Sequence, residues 1–193
     1  MKAKLIVAFT GTLMMLPAVA ETEIDRTLDS EADGTVEVSN VAGSIEVRGW
    51  SRNVVEVKGT LGDDVEELVF ERDDDYVLIK VKVPRYHGRD IESELYIKVP
   101  EESSIEVSGV SADIDIDDVL GEQSLQTVSG DIETRSASDD LEAASVSGDV
   151  LVVGDSVATD SEAGTVSGEV TLESLAGAVE AASVRGDVVI RGG

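Results

Sequence analysis

Residues 125–136 read LQTVSGDIETRS, and the tag Val128-Ser129-Gly130-Asp131-Ile132 inside them decides the fold. Nearly the same five letters return as VSGDV from Val146, VSGEV from Val166 and VRGDV from Val184, with a degenerate copy, VSADI, from Val110. Cut at each tag, the second half of the chain falls into units 110–127, 128–145, 146–165 and 166–183, and a partial unit from Val184. The tags are 18, 18, 20 and 18 residues apart. A fixed short period marks a repeat array, whose units bury their apolar faces only against their neighbours.

Within a unit the alternation is that of a strand. Val128, Gly130, Ile132 and Thr134 fall on one side; Ser129, Asp131 and Glu133 fall on the other. The apolar side is Val and Ile, which suit a pleated surface. A second, weaker strand follows, as in LAGAVEAAS at 175–183. Helical periodicity is absent, and Gly and β-branched residues are too frequent for helices. Two short strands per unit predict an all-β, single-stranded β-solenoid with ~18-residue coils stacked at ~4.8 Å. The small residue of each tag, Ala112, Gly130, Gly148, Gly168 or Gly186, is expected to point inward where no side chain fits. The hydroxyl before each tag, on Thr127, Ser145, Thr165 or Ser183, is expected to serve turn backbone groups or its own neighbours.

The frame reaches back to NVAGSIEVRGW at 40–50. Residues 66–84, EELVFERDDDYVLIKVKVP, predict two strands around the turn Asp73-Asp74-Asp75. ESELYIKVP, 92–100, predicts another strand, and RYHGRD, 85–90, a loop. These form an expected N-terminal β meander beside the first coils. The division expected is a leader at 1–20, an N-terminal β region at 21–107 and the repeat β-solenoid at 108–193.

The first twenty residues read as a secretory signal peptide. Lys2 and Lys4 precede the apolar LIVAFTGTLMML, and Pro17 with Ala18–Ala20 supplies a small-residue cleavage pattern before Glu21. The apolar run is short for a membrane span, so no span is expected after cleavage. The predicted localisation is exported: periplasmic, or secreted to the cell surface. The chain has no cysteine, so neither disulfides nor a lipid-anchor cysteine arise. With 41 acidic and 15 basic residues, its formal net charge is −26. That acidic balance argues against nucleic acid and anionic membrane surfaces as partners.

The residues point to no catalytic, cofactor-binding or metal site. The acids Asp113, Asp131, Asp149, Glu169 and Asp187 would form an outward column. Like charges ~4.8 Å apart repel by roughly 0.9 kcal/mol in water, and calcium would relieve this. A calcium-stabilised β-roll is therefore an alternative, but such rolls use a glycine-rich nonapeptide that the tag does not match. A flat column also offers few of the six to eight oxygens calcium takes. His87 is the only histidine, without a placed partner for acid–base work. A polysaccharide-active solenoid enzyme is a further alternative. Yet the repeats carry only Arg135, Arg185 and Arg191 as cations, and no aromatic residue follows Tyr96. Trp50, in VRGWSRN, reads as a strand end with a packed indole.

The tandem VSGDI/V units, the preceding GSIEVRGW strand and LYIKVP leading into SIEVSGVSADIDI resemble the DUF4097 family of bacterial envelope proteins, called "putative adhesins". The resemblance runs from about Thr35 to Val189. It implies a right-handed β-helix-like fold, an exported or surface location and no catalytic residues. The expected function is a non-enzymatic cell-envelope or surface binding scaffold, adhesin-like, with an envelope or surface partner of unassigned identity and oligomeric state. At the far end, Arg185 replaces the Ser of other tags and Arg191 follows; charges there are expected to guard an exposed strand edge against pairing.

Overall fold

The computed structural model describes residues 22–85, 89–136, 138, 140–154 and 160–192. The leader at 1–20, and Tyr86 and His87 of the expected loop, lie outside them. Among the described residues the chain is all-β, without a helix. The strands are β1 (Thr22–Asp29), β2 (Thr35–Trp50), β3 (Val54–Leu61), β4 (Glu67–Asp73), β5 (Tyr76–Lys82), β6 (Glu92–Pro100), β7 (Ser104–Val119) and β8 (Gln123–Thr127). They continue as β9 (Ile132–Ser136), β10 (Asp140–Ser145), β11 (Val150–Gly154), β12 (Asp160–Thr165), β13 (Val170–Glu173), β14 (Val179–Ser183) and β15 (Val188–Arg191).

All belong to one open sheet with parallel and antiparallel pairs. Two strands of 16 residues, β2 and β7, organise it. They pair in parallel along nearly their whole length, Thr35 to Ser104 and Arg48 to Asp117. Beyond them the sheet divides. The first half of β7 continues through β8, β10, β12 and β14. Its second half continues through β9, β11, β13 and β15. Every pair in these two ladders is parallel, and residues one unit apart stand opposite: Leu125, Ala143, Ala163 and Ala181 in one, Ile132, Val150, Val170 and Val188 in the other. The 18-residue period is thus the repeat of both ladders.

The apolar residues of both ladders join one core. Ile105, Val107, Leu125, Leu141, Ala143 and Ala163 reach it from the first ladder; Ile114, Ile116, Ile132, Val150, Val152, Val170 and Leu172 reach it from the second. Burying each Ile, Leu or Val contributes about 1.5–3 kcal/mol. Inward positions change parity at each tag: Leu141, Ala143 and Ser145 are odd-numbered, Gly148, Val150 and Val152 even-numbered. The tag is where the chain bends from one ladder to the other while keeping the same core on its inner side.

This bend corrects the alternation expected through the tag. Val128, Ser129 and Gly130 form bends, and β9 starts only at Ile132. The first valine of every tag faces solvent: Val110, within β7, and Val128, Val146, Val166 and Val184, at bends, are all more than 40 % exposed.

The N-terminal region also differs from a meander. The hairpin β4–β5 forms as expected, its Asp73 opposite Tyr76. Asp74 takes φ 53°, a left-handed conformation that Asp tolerates better than most side chains. The hairpin joins the first half of β2, with β5 parallel to it. The second half of β2 instead pairs with β6, followed by antiparallel β3 and β1. Strands close in sequence are therefore split between the two branches of the sheet. β2 forces this, because each half needs its own neighbour to bury Val36 and Val38 on one branch, Ile45 and Val47 on the other.

Candidate functional site

The tag sits at the corner where the ladders meet, and each of its positions contacts the unit before it. The hydroxyl preceding the tag donates backwards: Thr127 Oγ1 to the Ala112 carbonyl at 3.1 Å, Ser145 Oγ to Gly130 at 3.1 Å, Thr165 Oγ1 to Gly148 at 3.0 Å and Ser183 Oγ to Gly168 at 3.1 Å. The Gly130, Gly148 and Gly168 carbonyls lie at bends outside the strands, and a buried acceptor without a partner costs about 1–3 kcal/mol. The same carbonyls explain the glycine. A Cβ on Gly130 would lie 2.1 Å from the Ala112 oxygen, and one on Gly148 1.9 Å from the Gly130 oxygen.

The acid of the tag bonds forward. The backbone N–H groups of Asp131, Asp149 and Glu169 donate to the carboxylates of Asp113, Asp131 and Asp149, at 3.0, 2.8 and 2.7 Å. A carboxylate so placed accepts a charge-assisted bond. Glu169, one methylene longer, turns its carboxylate to the Thr171 hydroxyl at 2.8 Å instead. Asp113, Asp131 and Asp149, read from the sequence as part of a bare column, are therefore tied into the stack. Among the described residues, no three His, Cys, Asp or Glu side chains are grouped to hold a metal ion.

Trp50 ends β2. Its Nε1–H donates to the Val54 carbonyl at 2.9 Å, and the Arg52 guanidinium and Lys98 ammonium lie 4.5 and 5.2 Å from its ring centre. The indole is tethered and flanked by cations. Nearby, Arg48 donates to Asp115 at 2.6 Å and faces Glu46 at 3.1 Å. Burial works to lower its pKa, but the Asp115 hydrogen bond and the charges of Asp115, Glu46 and Asp117 hold it above the usual arginine value.

The outer face of the first ladder carries a feature that reading the tags alone misses. Glu37, Glu106, Ser124, Glu142, Glu162 and Glu180 stand opposite one another on successive strands. Beside them runs a low track: Ser39, Ser108, Gln126, Ala144, Gly164 and Ala182. The signal was present, since aligning whole units puts Ser124, Glu142 and Glu180 at one position. At its start the Tyr76 hydroxyl donates to Glu37. That bond, then burial and the charges of Glu37 and Glu106, push the Tyr76 pKa up to about 12. A separate cleft of about 460 Å³ lies between β1 and residues 61–68, lined by Glu23, Asp25, Asp63, Glu66 and Glu67 with Arg26. Asp64, next to it, accepts the N–H groups of Arg89 and Asp90 at 2.7 and 3.1 Å, which lowers its pKa. Among the described residues no helix is long and apolar enough to cross a membrane.

No family model and no curated protein matches the sequence. Solved structures do. A "putative adhesin" from Bacteroides fragilis NCTC 9343 is 12% identical, with 90% of this chain and 98% of that one covered, at a TM-score of 0.44. A "putative cell adhesion protein" from Clostridium sporogenes ATCC 15579 is 11% identical, with 90% of this chain and 100% of that one covered, at a TM-score of 0.65. At that identity the likeness is one of fold: the chain has the all-β architecture of the clostridial protein over nearly its whole length.

Proposed function

We propose that this chain is an exported, non-enzymatic β-solenoid of the DUF4097 type that serves the cell envelope or surface as an adhesin-like binding scaffold. The two parallel ladders are the two faces of the solenoid, and each tag is the corner of a coil. One observation carries the reading. Hydroxyl, glycine and acid of the tag are each occupied in stacking one coil on the next. What repeats outward is then two flat faces with side chains in register every unit, a surface suited to contact an extended or repeating partner rather than to enclose a small substrate. The leader at 1–20 supports export. The adhesion label borne by the clostridial protein of the same fold agrees with a binding role, although fold alone does not assign one.

Fractionation of the native cell, with crosslinking before lysis, tests this. The protein is expected in the envelope or secreted fraction, crosslinked to an envelope component. A cytosolic location would contradict it. So would release of reducing ends from uronate or glucan polymers by the purified chain, lost on substitution of one compact residue cluster.

A further inference from the structure

In the described residues every exposed large hydrophobic side chain lies at Val110 or beyond. Most belong to the valine column of the corners or, as Leu120, follow β7. Two do not. Val188 and Ile190 stand opposite Val170 and Leu172, which are fully buried. They are core positions by register, yet they are 42 % and 58 % exposed. β15 pairs only with β13, and β14 only with β12. The opposite end of the sheet differs: its edge strands β1 and β4 keep Ile24, Leu68 and Val69 buried, and Leu61 joins them.

We propose that β15 pairs antiparallel with β15 of a second copy of this chain, about a two-fold axis through Val189. The backbone is oriented for it. The Asp187 and Arg191 carbonyls accept the N–H groups of Val170 and Ser174, each at 2.9 Å, so they face β13. By alternation the N–H and C=O groups of Val188 and Ile190 face the free edge. Centred on Val189, the two-fold sets Val188 opposite the partner's Ile190, a hydrogen-bonded pair, on both sides of the axis. The inward side chains in that register are apolar on both strands, and they continue the core across the junction.

The outward side chains match as well. The same register sets Asp187 opposite the partner's Arg191 and Arg191 opposite the partner's Asp187. Opposite charges across a strand pair are favourable, and like charges are not. Arg191 already reaches Glu173 on its own chain and stays largely exposed, so it can serve both acids. An isologous contact of this kind closes on itself. Stacking this end on the opposite end of another copy would instead continue without limit.

The chain contains no cysteine, which allows a direct test on the 193-residue protein. Opposed Val189 residues would form a non-hydrogen-bonded pair with Cα atoms about 4.5 Å apart, within the ~4.4–6.8 Å a disulfide spans. V189C is expected to give a disulfide-linked dimer within minutes of mild oxidation at micromolar concentration. V128C, at a coil corner and more exposed than Val189, is expected to stay monomeric under the same conditions. By light scattering the unmodified chain is expected at twice the mass of one copy, more so as salt screens the acidic copies from each other. I190D is expected to halve that mass with the melting temperature of the dilute protein unchanged, since Ile190 is mostly exposed within one copy. A monomeric mass at all concentrations, with V189C crosslinking no faster than V128C, would overturn the proposal and leave Arg185 and Arg191 as edge guards. An open series of larger species would overturn it in favour of head-to-tail stacking.

Discussion

The carboxylate of Asp131 accepts the backbone N–H of Asp149 at 2.8 Å, eighteen residues on. The same bond joins Asp113 to Asp131 and Asp149 to Glu169. An outward acid that suggests a metal ligand in the sequence is thus the clasp between consecutive units.

Removing one clasp should weaken the stack modestly. D131A deprives the Asp149 amide of its acceptor and is expected to cost about 0.5–1.5 kcal/mol in urea unfolding. D131N keeps an oxygen at the same place and should cost less than D131A. E169D should add a clasp to the Asp187 amide and raise stability by a similar amount. Equal losses from D131A and D131N would show that the carboxylate acts by charge at a distance and not by this bond.

Tyr76 gives a pH-dependent signal. Its hydroxyl is bonded to Glu37, and its pKa is pushed up to about 12, above the ~10 of an unfolded tyrosine. The folded chain therefore holds this proton more tightly than the unfolded one. The stabilisation is complete below pH ~10 and is lost as pH rises from there through 12. Absorbance titration of tyrosinate should show a late step that disappears in Y76F. Stability between pH 10 and 12 should fall less steeply in Y76F than in the parent.

Calcium should not hold the corners together. The Asp113, Asp131 and Asp149 carboxylates already accept amide protons, and an ion would have to take those oxygens away. EDTA is expected to leave the melting temperature unchanged, and millimolar calcium to raise it no more than magnesium does. A melting temperature lowered by EDTA and restored by calcium alone would reinstate the β-roll.

The period, the strand at 92–100 and the hairpin around Asp74 were legible because each is local: alternation, a proline end and a turn residue. Two features were not. Val128 is indistinguishable by composition from the buried Val150, but it lies on a bend, and alternation carries no information across a bend. The split of residues 22–100 between two branches depends on β2 pairing with β7, about 69 residues away, which no local pattern encodes. The glutamate column of the outer face was readable in part, since it repeats with the units, but opposing Glu37 to Glu106 again required that pairing. For the function, the tag settles how the chain is built, and the outer faces then become the place to look for a partner.

Gly148 and Gly164 test most directly whether the tag is a structural corner. A Cβ on Gly148 would stand 1.9 Å from the Gly130 oxygen and 2.6 Å from its carbon, both backbone atoms that cannot rotate away. On Gly164, near the end of β12, the nearest atom would be the Ala182 oxygen at 3.7 Å, an ordinary contact. The measurement is urea unfolding of G148A beside G164A. G148A is predicted to lose about 1–3 kcal/mol or more. G164A is predicted to match the parent or gain about 0.5–1 kcal/mol from the stiffer unfolded chain. Equal tolerance of both substitutions would contradict the account, because the tag glycine would then not be where one coil rests on the last.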